Sequence, residues 1–273
     1  MTDQEARYDR IAEGYAAWWS PIHRPATLSL LDVVDEAGEA AGSPQILDVG
    51  CGTGAMTREA AARWRRARVT GADISEGMLG IAWRELAAAP GDIPERVHHV
   101  QAPADRLPFD DASFDVVLTA FVLQLVPSRH RALREARRVL RPGGLLAYVT
   151  WLEGGSLEAD RAYDESLEAF GFEPRSGFGH DLENAAAATA VLRRAGFAGA
   201  AARAGELVHR FTPEGSLGFV SRFDDEDLFA TMDASTRSAL TEDLLGRLRA
   251  LPHDGLDMRL PIVYAWGRRS GSS

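Results

Sequence analysis

The sequence predicts an α/β protein with a mostly parallel sheet and helices on both faces. Three observations predict it. Short apolar runs alternate with helical stretches from residue 45 to residue 151, the pattern of repeated strand–helix units. The first apolar run leads straight into a glycine-rich turn, Gly50-Cys51-Gly52-Thr53-Gly54. The next run ends on an acid, Asp73, at about the 20-residue offset used to hold a ribose.

The elements follow in order. Tyr8, Ile11, Ala12, Tyr15, Trp18 and Trp19 recur at helical spacing over residues 4–19, and Ser20-Pro21 reads as the stop. A second periodic stretch over about 25–40 carries Leu28, Leu31, Val34 and Ala37 on one face. Pro21 and Pro25 bracket what reads as a short hinge, and Gly42-Ser43-Pro44 breaks the chain. Strands are expected over 45–49, 68–72, 97–101, 115–120 and 145–151, with helices over 55–66, 76–88 and 129–140. Arg141-Pro142-Gly143-Gly144 reads as the turn before the fifth strand. Beyond Trp151 come helical stretches 157–170 and 182–195 and a strand over about 200–211. Helices over 213–222 and 234–251 and a strand over 259–266 complete the chain. The division expected is a helical lid (1–42), a ligand-binding core (43–152) and a segment that completes the sheet and caps it (153–273).

Composition narrows the function. The 273 residues include 30 basic and 40 acidic side chains, a net charge of −10. Apolar residues at 45% and charged residues at 26% are globular proportions, not those of a disordered chain. A pI near 5.2 argues against a dedicated nucleic-acid partner, which needs a clustered positive field. With Cys51 as the single cysteine, no intrachain disulfide can form. No apolar run approaches the roughly 18 residues needed to span a membrane. The start, Met1-Thr2-Asp3-Gln4-Glu5, is acidic, unlike a signal peptide, so a cytoplasmic location is expected. Every basic residue is Arg, which removes lysine chemistry.

The glycine turn carries the chemistry. Glycine lets the backbone turn tightly and approach a ligand where a Cβ would clash. In an open parallel sheet such turns lie at the carboxyl ends of the strands, where ligands bind. The spacing here is G-x-G-x-G, and position 55 is Ala, whereas a pyrophosphate-binding turn reads G-x-G-x-x-G. Asp73 can accept hydrogen bonds from two ribose hydroxyls, each worth roughly 1.5–3 kcal/mol. Cys51 reads as a small packing residue. The histidines lack metal-ligand spacing, so no metal is expected.

Four motifs in order carry a resemblance. Leu47 to Gly54 (LDVGCGTG) comes first, then Ala72-Asp73-Ile74-Ser75 with Met78-Leu79. Leu107-Pro108-Phe109 leads to Phe114-Asp115-Val116-Val117, and Arg137 to Gly144 (RRVLRPGG) closes the set. Over residues 46–151 the chain resembles the class I S-adenosylmethionine-dependent methyltransferases, in the small-molecule branch related to quinone-biosynthesis enzymes. Residues 152–273 share only the family's layout.

The resemblance implies a Rossmann-like seven-stranded sheet, order 3-2-1-4-5-7-6, with the last strand antiparallel and a helical cap. S-adenosylmethionine is the implied cofactor. Gly50, Cys51, Gly52 and Gly54 would surround its methionine part. Asp48 would order the loop from below or reach the amino group through water. Asp73 would hold the ribose, with Ile74 and Met78 against the adenine. Ala104 would offer its backbone N–H to the adenine edge, and Ala120 and Phe121 would lie near the sulfonium. Where the family often has an acid, this chain has Pro103, so Asp105 is the substitute considered. The implied activity is methyl transfer to an O, N or C atom of a small-molecule acceptor. Tyr15, His23 and His180 are the candidate catalytic residues, Tyr15 in an aromatic lid and the histidines as bases. Gln124 is a candidate for orienting the acceptor. Expected partners are that acceptor and, as an open option, a second copy of the chain, with no nucleic acid and no membrane. The rival readings are a non-catalytic S-adenosylmethionine-binding protein, a nicotinamide-dependent dehydrogenase, and a nucleic-acid methyltransferase. The last lacks its Asn/Asp-Pro-Pro-Tyr/Phe motif after the fourth strand.

Overall fold

A computed structural model describes residues 3–38, 42–155, 157–174 and 181–271. Seven strands form one sheet: β1 (Gln45–Val49), β2 (Arg68–Asp73), β3 (Val97–Gln101), β4 (Phe114–Ala120), β5 (Leu140–Trp151), β6 (Phe197–Arg210) and β7 (Asp257–Arg269). Their order is β3-β2-β1-β4-β5-β7-β6. Neighbours from β3 to β5 pair in parallel, and β7 runs antiparallel to both β5 and β6. This is the order the resemblance implied.

Strand alternation sorts the core into two layers. Ile46, Val69, Val116 and Leu145 face one side, with Leu30, Leu31 and Ala60 from the helices against them. Leu47, Val117, Leu146 and Tyr148 face the other, against Leu133, Ala136 and Leu192. The helices between the strands are α4 (Ala55–Arg63), α5 (Glu76–Ala87), α6 (Ile93–Arg96), α7 (Arg129–Val139), α8 (Glu158–Ala169) and α9 (Ala185–Arg194). A cap follows β6: α10 (Pro213–Phe219), a π-helical turn (Val220–Asp224), α11 (Glu226–Thr231) and α12 (Ala234–Ala250).

The N-terminal segment departs from the expected helix–hinge–helix. The first helix, α1 (Asp3–Gly14), opens into a π-helical turn at Tyr15–Trp19 and continues as α2 (Ser20–Leu28), followed by α3 (Leu30–Glu36). No connector lies between Pro21 and Pro25. Pro21 occupies the first turn of its helix, where no N–H is needed, and Pro25 sits inside the same helix. Elsewhere β5 starts at Leu140, running through the expected turn with a register shift against β4 between Phe114 and Val116. β6 starts three residues earlier than expected, at Phe197, because it pairs with Arg269 at the far end of β7.

Candidate active site

The turn after β1 is held by β2. Gly50 and Cys51 both donate their N–H to the Ala72 carbonyl, at 2.7 and 3.1 Å. Gly50 has φ +71°, and a Cβ there would lie 2.2 Å from Val122 Cγ2. Gly52 has φ +53°, and a Cβ there would meet nothing within 4 Å. One glycine therefore admits a neighbouring strand end, and the other leaves space open.

That space is part of a cavity of about 390 Å³ at the carboxyl ends of β1, β2 and β4. Gly50, Gly52, Asp73, Ile74, Met78, Ala104, Asp105, Ala120 and Phe121 all line it. Nine of the sequence-derived ligand residues are thus brought together. The other three stand behind the wall. Gly54 packs toward His99 and Ala82, and the Cys51 sulfur faces Gly71. Cys51 is buried, and burial pushes its thiol well above the ordinary range, the opposite of an activated nucleophile.

Asp73 braces the loop as well as facing the cavity. Its Oδ2 accepts the Gly52 N–H at 2.8 Å and its Oδ1 the Ser75 N–H at 2.9 Å. Burial raises its pKa against the pull of those N–H groups. Asp48 lies beneath, 1% exposed, and neither carboxyl oxygen has a hydrogen-bond partner. It therefore does not order the loop by hydrogen bonding, contrary to one of its expected roles. Burial first, and then the charge of Asp73, raise its pKa well above the ordinary value.

Phe121 follows β4 with φ +56°, a strained conformation for a bulky residue. Its N–H bonds the Val149 carbonyl at 2.8 Å, and its ring stacks on Trp151 at 4.1 Å between centroids. Gln124 donates to the Phe121 carbonyl at 2.8 Å and accepts from the Thr150 hydroxyl at 3.1 Å. Gln124 does not line the cavity, so it supports the strained turn instead of facing an acceptor.

Two of the three candidate catalytic residues meet. The Tyr15 hydroxyl and His23 Nε2 are 2.7 Å apart, and His23 Nδ1 lies 3.1 Å from the Thr27 hydroxyl. Tyr15 lines the cavity. Burial lowers the His23 pKa to about 4 and raises that of Tyr15 well above its ordinary value. His180 lies outside the described residues. Sequence reasoning missed Asp3 and Gln4, which also line the cavity; polar residues at a chain start carry no local signal of that. Pro103 lines it too, and Asp105 pairs with Arg131 at 3.6 Å.

Known proteins resemble the chain in sequence and in fold. A family described as "Methyltransferase domain" matches residues 47–148. The ubiquinone/menaquinone biosynthesis C-methyltransferase UbiE of Brucella anthropi is 37% identical over 150 residues, 55% of this chain and 50% of that protein. UbiE of Hahella chejuensis is 31% identical over 170 residues, 60% of this chain and 67% of that one. The chain spans about half the length of the Brucella relatives it matches. The YcgJ protein of Bacillus subtilis shares the fold, with a TM-score of 0.56 at 17% identity over 89% of this chain and 99% of that one. The chain belongs to the class I S-adenosylmethionine-dependent methyltransferases, on the branch related to the quinone-biosynthesis enzymes.

The residues fit that cofactor. Among the described residues that line the cavity none is basic, while Asp3, Asp73 and Asp105 are acidic. This sign of charge suits a ligand carrying a sulfonium and an ammonium, not a pyrophosphate. Among the described residues no group of His, Cys, Asp or Glu is arranged to hold a metal, and no helix is long and apolar enough to cross a membrane.

Proposed function

We propose that the protein transfers a methyl group from S-adenosylmethionine to an O, N or C atom of a small molecule. The observation that carries this reading is the acid-lined, base-free cavity at the glycine loop. When bound, the cofactor supplies an electrophilic methyl on sulfur and leaves as S-adenosylhomocysteine. Gly50 and Gly52 admit its methionine part, Asp73 holds the ribose, and Ile74 and Met78 pack on the adenine. Ala104 offers its N–H to the adenine edge, with Asp105 beside it.

The chain's own task is to position the acceptor. Neutral His23 fixes the Tyr15 hydroxyl. With Nδ1–H donated to Thr27, its Nε2 accepts the Tyr15 O–H, and the oxygen's lone pairs stay free to receive a hydrogen bond from the acceptor. A pKa near 4 makes His23 a weak base at neutral pH, which supports orientation over proton removal.

Calorimetry tests the reading. S-adenosylhomocysteine should bind and NAD should not, and Asp73→Ala should weaken binding by about 30- to 1000-fold, the loss expected for two charge-assisted bonds. Binding of NAD without binding of the adenosyl compound would overturn it.

A further inference from the structure

The N-terminal helix, α1, lies along the cavity at the glycine loop. Gln4 and Tyr8, one helical turn apart, both line it, as does Tyr15 just beyond the helix. Ala12 of α1 packs with Met78 and Ile81 of α5, and Tyr8 and Tyr15 pack against that cluster. The two ends of α1 fix its direction. At the far end the Tyr15 ring is 5.4 Å from His23, whose ring is 5.6 Å from Phe121. That is the sulfonium end of the proposed site. At the near end Glu5 lines an adjoining groove with Ile74, Pro103 and Asp105. That is the adenine end, and Gln4 is next to Glu5 in the chain.

Gln4 Oε1 is buried and has no hydrogen-bond partner among the described residues. A buried carbonyl oxygen in that state costs its full desolvation unless a ligand donor meets it. The ligand's chemistry names the donor. S-adenosylmethionine donates from its ribose hydroxyls, its ammonium and its adenine exocyclic amine. The hydroxyls belong to Asp73 in the proposed reading, and the ammonium to the glycine-loop end. The amine remains. Nothing at Pro103 serves it: the ring accepts no hydrogen bond, and the Pro103 carbonyl already accepts the Arg106 N–H at 3.1 Å. Asp105 faces the Arg131 guanidinium at 3.6 Å. Asp3 lines the cavity but is exposed, so its carboxylate exchanges water for a ligand at little gain.

We propose that Gln4 Oε1 accepts a hydrogen bond from the adenine exocyclic amine, so that the N-terminal helix reads the base in place of the loop after β3. The proposal rests on the reading of this cavity as the S-adenosylmethionine site. A carbonyl oxygen pairs with an amine and repels an oxo group, so Gln4 sets a preference for an aminopurine. It also gives α1 a direct share in binding the methyl donor.

The test is calorimetry on the full chain with S-adenosylhomocysteine and with its analogue carrying hydrogen in place of the adenine amine. Wild type should prefer the amine by about three- to tenfold, the worth of one neutral hydrogen bond. In Gln4→Ala the preference should fall to within about twofold, because the amine has lost its acceptor. Alanine favours helix, so this variant keeps α1. Gln4→Glu should hold the preference at or above the wild-type level, since a carboxylate accepts and does not donate. A purely structural role for Gln4 would shift both ligands alike and leave the preference standing. A preference retained in Gln4→Ala, lost in Gln4→Glu, or abolished instead by Asp105→Asn would overturn the proposal. Wild type that binds both ligands equally would overturn this assignment alone. Wild type that does not bind S-adenosylhomocysteine would overturn the proposed function and the assignment with it.

Discussion

Asp9 accepts a hydrogen bond from the Ser75 hydroxyl at 2.6 Å, and the same oxygen accepts the Gly77 N–H at 3.0 Å. Ser75 in turn donates its N–H to Asp73. The N-terminal helix is therefore fastened to the residue that positions the proposed ribose ligand. A Cβ on Gly77 would lie 2.9 Å from the Asp9 carbonyl, so the two helices touch backbone to side-chain-free backbone.

Asp9→Ala should loosen this clasp. The Ser75 and Gly77 bonds lower the Asp9 pKa. A depressed carboxyl stabilises above the ordinary value and loses that contribution as pH falls through the folded value. The expected cost is about 1 kcal/mol at pH 7, discounted for solvent screening, and it should shrink as pH falls below the ordinary carboxyl value of 3.8. Urea melts above and below that value check this, and limited proteolysis should cut the N-terminal helix faster in the variant.

Gly50→Ala and Gly52→Ala should separate folding from binding. At Gly50 the new methyl meets Val122 and the backbone stays left-handed, so stability should fall by 2 kcal/mol or more, roughly the sum of strain and overpacking. At Gly52 only the backbone cost of about 1 kcal/mol applies, but the methyl projects into open space beside the cavity. Thermal unfolding with and without S-adenosylhomocysteine should show a folded Gly52→Ala protein that the ligand no longer stabilises. Equal behaviour of the two variants would contradict this.

Asp48→Asn should change how stability responds to pH. The raised pKa of Asp48 means the folded state holds its proton where the unfolded state has lost it. Wild-type stability therefore declines as pH rises above the ordinary carboxyl value of 3.8 toward the raised one. The amide has no such slope. The variant should gain on wild type as pH rises above 3.8 in urea melts, and parallel curves would show that Asp48 finds a partner in solution.

His23→Phe works in the opposite pH direction. With its pKa lowered from 6.5 to about 4, folded His23 refuses a proton that the unfolded chain accepts. Stability is lost as pH falls from 6.5 toward 4, by about 3 kcal/mol in full. The phenylalanine variant should lack that slope. Tyr15→Phe should keep it, because the cause is burial of the imidazole, and should lose acceptor turnover instead.

The parallel half of the fold was legible because its signals are local. An apolar run, a glycine turn and a strand-end acid each state their place within a few residues, and Gly50, Gly52 and Asp73 line one cavity as expected. The N-terminal segment was harder. Ser20-Pro21 looks like a stop, yet proline in a first helical turn is equally a start, and only the docking of Trp18 against Gly218 distinguishes them. Tyr15 and His23 stand eight apart, about 12 Å along a straight α-helix, so their 2.7 Å contact could not be read from spacing. The wider π-helical turn between them has no sequence signature. Nor does the positive φ of Phe121, a conformation imposed by its surroundings and not by the residue.

The position of β7 bears on how the protein is made. β7 follows β6 in the chain but inserts between β5 and β6, pairing with both. Until residues 257–269 emerge from the ribosome, those two strands have no partner along the edges that β7 will occupy. Open edges invite pairing with other chains, and late, long-range closure is slow. The nascent protein's exposure to misassembly is thus concentrated in one interval, after β6 is synthesised and before β7 seals the sheet.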